Sequence, residues 1–101
     1  MADIALDDFV RAHATCVDVL RGGTDRDWSK PAGSLVWSAA ETAAHLTDVL
    51  FSYAFQAAAH GTRGVLPFEE LRAGPGADAE GLVDGIHASG RMLSAVVYGM
   101  P

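Results

Sequence analysis

An all-α fold, an up-down bundle of three helices, is what this sequence predicts, and three observations predict it. Apolar residues recur at three- and four-residue spacing in three separate stretches, near residues 3–21, 38–60 and 78–98. The first stretch runs into Gly22 and Gly23, and the second starts on Ser38 with Glu41 three residues later, which are stop and start signals of helices. No stretch alternates apolar and polar residues as a half-buried strand does, and the chain carries no repeat and no low-complexity segment.

The first helix is expected over Asp3–Arg21, with Leu6, Phe9, Cys16, Val17 and Leu20 on one face. The connection that follows, TDRDWSKPAGSLVW, has turn residues but also Trp28 and Trp37. Each indole has a large apolar area to bury, so this loop is expected to be pinned to the bundle.

The second helix is expected from Ser38 to about His60. Ser38 and Glu41 form a capping box, in which the hydroxyl takes the third amide and the carboxylate reaches back to the cap, and Val36 or Trp37 is placed to act as its staple. Ala40, Ala43, Leu46, Leu50, Tyr53 and Ala57 give a broad apolar face, whereas Glu41, His45, Asp48, Ser52 and Gln56 form a polar stripe.

The stretch 61–77 is closed by glycine and proline at both ends, and PFEELRA inside it reads as one short helical turn. This connection is longer than antiparallel neighbours need. It is long enough to return the chain along the bundle, so that the third helix starts at the end where the second one started. That third helix is expected over Asp78–Tyr98, with Leu82, Ile86, Leu93, Val96, Val97 and Met100 facing the core. Gly81, Gly85 and Gly90 each weaken it by roughly 1 kcal/mol relative to alanine, which points to close backbone approach by a neighbour.

Composition narrows the function. With 101 residues the chain is one domain, and with half of its residues apolar it is a globular one. The net charge of −6 and the lack of a basic stripe exclude nucleic acid as a partner. No apolar run reaches the roughly 20 residues that span a bilayer, which excludes a membrane span. Cys16 is the only cysteine, and MADIALDDFV is not a signal peptide, so a reducing, cytoplasmic setting is expected. Cys16 on an apolar face reads as a small hydrophobe. Phosphate-binding loops and serine-nucleophile motifs are absent.

With Trp28 and Pro31 in DWSKPAG, and Trp37, His45 and Leu46 in VWSAAETAAHL, the chain resembles the N-terminal metal-binding domain of mycothiol-dependent maleylpyruvate isomerases, within the DinB-like superfamily. The resemblance runs over nearly the whole chain. It implies a DinB-like four-helix bundle with a long crossover. It also implies a divalent metal, zinc or a similar ion, held by three side chains. One of these matches His45, and the other two are expected on a fourth helix as Glu-x-x-x-His or His-x-x-x-His. Three helices are found here, so the resemblance implies that residues 1–101 are an incomplete domain of this type. The chemistry it implies is isomerisation or thiol transfer, with the metal activating the thiol of mycothiol, a small-molecule partner.

The residues themselves leave other readings open. Glu41 is placed to share a metal with His45 but is also the capping residue, and Asp48 is either a partner of the His45 ring or a plain surface acid. By helical rise, His13, His45 and His87 stand about 12, 10.5 and 13.5 Å from one end of the bundle and are candidates for one layer if the second and third helices run parallel. The alternative to an enzyme is a non-catalytic helical module that forms a homodimer through the groove left by the missing helix.

Overall fold

The computed structural model describes residues 2–31, 33, 36–59, 66–68 and 70–99, with backbone alone at residues 2–4. Three helices are present, α1 (Ala2–Arg21), α2 (Ala39–Ala58) and α3 (Ala79–Tyr98), and the described residues contain no strand. The all-helical class and the three helices of the sequence reading are therefore in place. The second helix, expected to reach His60, ends at Ala58, where the Ala59 amide donates to Phe55 and Gln56; His60 itself lies outside the described residues.

The start of α2 shows why a sequence so rich in alanine begins a helix there. Ser38 is extended (φ −68°, ψ 165°), its hydroxyl accepts the Glu41 amide at 3.1 Å, and Glu41 returns its carboxylate to the Ser38 amide at 3.0 Å. The two remaining amides of the first turn are taken by the preceding loop, Ala39 by the Lys30 carbonyl (2.9 Å) and Ala40 by the Trp28 carbonyl (2.8 Å). Every orphan amide of this helix end thus has an acceptor. Trp28 is pinned as expected: its indole Nε1–H donates to the Gly23 carbonyl at 2.9 Å while the ring packs on the core. Val36 is 96% exposed, so it is not the staple. Asp27 accepts from the Ser29 hydroxyl and amide, bonds that hold its carboxyl below the usual carboxylate range. At the start of α3, Asp78 caps the Gly81 amide at 2.8 Å.

α3 is the central element, and α1 and α2 flank it. Arg21 at the end of α1 donates to Asp84 (2.8 Å) and Glu80 (3.1 Å) near the start of α3, while Asp7 accepts from Tyr98 at its end (3.3 Å), so α1 and α3 are antiparallel. The Asp84 hydrogen bond, then that to Glu80, raises the Arg21 guanidinium above its ordinary value. α2 pairs with α3 in the same direction: Ala40 and Ala44 lie beside Leu82, and Thr47 lies against Gly85. This is the parallel arrangement that the long connection implies.

No described residue of α1 comes within 8 Å, Cα to Cα, of one in α2. The result is a layer in the order α1, α3, α2, measuring 42 × 31 × 23 Å. Its radius of gyration, 14.7 Å, exceeds the roughly 13 Å of a compact chain of this length. The core is accordingly thin: Val17 from α1, Ala43 and Ala54 from α2, and Leu82, Val83 and Ile86 from α3 are the buried apolar side chains among the described residues.

The expected core face of α3 needs two corrections. Val83 is fully buried though its place in the pattern does not single it out, and Val97 is exposed; Met100 lies outside the described residues. The reason is that α3 is covered on two sides, so its buried surface is wider than one stripe and is concentrated in its first half. Two of its glycines are explained by close approach. A methyl group at Gly85 would come within 3.1 Å of the Thr47 hydroxyl, and one at Gly90 would sit 2.0 Å from Nε2 of His13.

Candidate functional site

His45 is the residue on which the functional expectation rests. Its neighbours at 43, 47 and 54 turn toward α3, so the helical period of 100° per residue sends His45 to the outer side of α2. There it is exposed, and its ring meets Trp37 edge-on, with centroids 4.9 Å apart and planes at 66°. Trp37, which precedes the capping serine, is thus the residue that fixes the imidazole, and the staple role expected of it gives way to this contact.

The polar stripe has a use that sequence reasoning missed. The described residues of the connection after α2, from Leu66 onward, run back along its outer face as a strap. The Leu66 amide donates to Gln56 Oε1 at 2.9 Å, Phe68 meets Phe55 edge-on with centroids 5.5 Å apart, and the Leu71 amide donates to Asp48 Oδ1 at 2.7 Å. The Ser52 hydroxyl also donates to Asp48, at 3.4 Å. The short helical turn expected in PFEELRA is not formed by its described residues, which bend at Pro67, where the Phe68 amide donates to the Leu66 carbonyl at 2.9 Å. Side-chain acceptors on α2 take amides that a helical turn would have kept for itself. A polar stripe on a helix followed by a long return connection is the signal that would have found this.

Replacing Asp48 by alanine is expected to loosen the strap and cost about 1 kcal/mol, while Asp48→Asn keeps an acceptor and most of the stability. Hydrogen exchange at the Leu71 amide reads this directly: it speeds up in Asp48→Ala and stays slow in Asp48→Asn.

Between the strap and α2 lies an open cleft of about 280 Å³ lined by Trp37, Glu41, His45, Asp48, Leu71 and Arg72 among others. Its charges are largely committed. Glu41 closes the capping box, Asp48 holds the strap, and Arg72 pairs with Glu70 at 2.7 Å. His45 also lines the cleft, and its contact among the described residues is the Trp37 ring. Glu41 and Asp48, the two acids considered as its metal or ring partners, are thus turned to structural tasks. A second cleft, of about 200 Å³, lies deeper between the strap and the starts of α2 and α3, beside Thr47, Leu82 and Gly85.

Among the described residues, no three histidine, cysteine, aspartate or glutamate side chains come together as a metal-holding group. The three-histidine layer therefore does not form. His13 and His87 do meet across α1 and α3, with ring centroids 6.1 Å apart, but His45 faces away from them. His13 and His87 are at one level, as their rings meet, and His45 is separated from them by its place on the outer side of α2. Cys16 is half-buried on α1. None of the three helices is long and apolar enough to cross a membrane.

Compared with protein-family models, with curated proteins and with solved structures, the chain matches none.

Proposed function

We propose that the chain is a metal-binding helical module of DinB-like type, related to the N-terminal domain of mycothiol-dependent maleylpyruvate isomerases, in which His45 supplies one ligand to a divalent ion. The observation that carries this reading is the open layer. α1 and α2 both pack on α3 and not on each other, and this arrangement supports a four-helix bundle that is one helix short. His45 lies one helical turn before Val49, which with the 65% exposed Tyr53 borders a shallow depression on α2. The imidazole stands on the outer side of α2, so the remaining ligands would come from a further element that reaches that side.

The described residues fit one ligand of such a site and not the whole of it. In the complete site, zinc or a similar ion would activate a small-molecule thiol, as in mycothiol-dependent isomerisation or thiol transfer. The part left to this chain is to present the imidazole, with Trp37 fixing its ring. The fourth element comes from a further polypeptide segment or from a second copy.

The second reading is a non-catalytic module that pairs with itself through the same open face, which the exposed Tyr53 favours. One experiment separates the two. Metal content by elemental analysis is measured beside mass by light scattering, for the native chain and for His45→Ala. A stoichiometric ion that is lost in His45→Ala supports the metal module. A dimer of unchanged mass, free of metal in both proteins, supports the second reading and removes the first.

A further inference from the structure

The seam between α1 and α3 holds a pair of imidazoles that neither the helix caps nor the strap uses. His13 is seated over Gly90, where no side chain would leave it room, and its Nε2 lies 2.9 Å from the Ile86 carbonyl. A carbonyl oxygen only accepts, so Nε2 carries the hydrogen and donates it, and Nδ1 of the neutral ring keeps its lone pair. A histidine that binds a metal is commonly held in this way, one nitrogen donating to a carbonyl while the other is free for the ion. Phe9 stacks on the same ring, with centroids 5.9 Å apart and planes within 10°, and so backs it with an apolar face.

His87, on α3, is exposed, and its ring plane lies within 20° of that of His13 at a centroid separation of 6.1 Å. With nitrogen–metal bonds of about 2.0–2.1 Å, two imidazoles that share one ion have centroids roughly 5–6 Å apart. The two rings are stacked here, and since an ion binds in the plane of each ring, the exposed His87 side chain has to turn out of the stack to bring a nitrogen to an ion held by His13.

We propose that His13 and His87 form a two-histidine site for a divalent transition ion of the zinc, nickel or copper kind, which clips α1 to α3. Imidazole nitrogens select ions of this class over magnesium and calcium. No third side chain of suitable type joins the pair among the described residues, so water completes the coordination, and the ion is exchangeable rather than permanently built in. Nearby Asp84 is already engaged by Arg21. The site gains its effect from where it lies: among the three helices α1 packs on α3 alone, and an ion at this seam acts on that pairing. It is independent of the His45 reading, since the two histidine positions face different sides of the molecule.

The test is thermal unfolding of the chain without a histidine tag, in a non-coordinating buffer, with Zn²⁺ and separately with Ni²⁺. Mg²⁺ serves as the control ion. At about tenfold excess over the dissociation constant, Tm is expected to rise by roughly 5–10 °C with Zn²⁺ or Ni²⁺ and not with Mg²⁺. In His87→Ala the rise is lost, while the ion-free Tm stays near that of the native chain because the side chain is exposed. In His45→Ala the rise persists. No rise with either transition ion, or a rise that survives His87→Ala, overturns the proposal. A rise lost in His45→Ala but kept in His87→Ala overturns it too, and assigns the ion to α2.

Discussion

Ile86→Ala is expected to lower the stability of this protein by about 3 kcal/mol, the largest loss for any single truncation of its core. Ile86 is 1% exposed and lies with Val83 at the centre of the cluster that joins all three helices. Few other side chains are buried to compensate, and neither α1 nor α2 can relax onto the other, because α3 stands between them. The cavity therefore stays open, which is the condition for a loss at the upper end of the usual range. Urea unfolding measures it as a lower midpoint at an unchanged slope. A loss below about 1 kcal/mol would show that the core is not centred on α3.

Gly90→Ala is expected to be destabilising by about 2 kcal/mol, although alanine is the better helix former by roughly 1 kcal/mol. The added methyl group would sit 2.0 Å from Nε2 of His13, so the ring must leave its seat and give up its bond to the Ile86 carbonyl. The sign of the effect is itself diagnostic. In a His13→Ala background the space is empty, and Gly90→Ala should then stabilise by about 1 kcal/mol. A double-mutant cycle that shows the same sign in both backgrounds would mean that His13 does not occupy the notch.

Local features and length constraints were legible in the sequence, whereas pairings were not. The capping box at Ser38 and Glu41 needs only four consecutive residues, and it formed as read. The parallel course of α2 and α3 followed from the length of the connection between them. The glycines of α3 signalled a close neighbour, and Gly85 and Gly90 have one each. Which neighbour it was depended on knowing that α1 lies against α3, and no period within α1 says so. The histidines show the same limit: helical rise placed His13 and His87 at one level, but only the rotation of each helix decides which rings face one another. PFEELRA reads as helical by composition, yet Asp48 and Gln56 draw amides of the strap to themselves, so tertiary bonds override local preference. As for the site, the exposed, Trp37-bound position of His45 is what two residues at this spacing could have suggested. The commitment of Glu41 to the capping box was legible, whereas that of Asp48 to the strap could not be read from the types of residue alone.

The central place of α3 also bears on how the chain is made. In an up-down bundle each new helix docks on the one before it, and structure accumulates as synthesis proceeds. Here no described residue of α1 lies within 8 Å, Cα to Cα, of one in α2, and the element on which both pack is the last of the three in the sequence. Every helix–helix pairing joins segments far apart along the chain, an arrangement that slows folding by delaying its reward. While the ribosome is still adding the first 78 residues, α1 and α2 have only their own caps and loop bonds to hold them. Their apolar faces remain open to other proteins until α3 emerges, which makes that interval a time of exposure to misassociation.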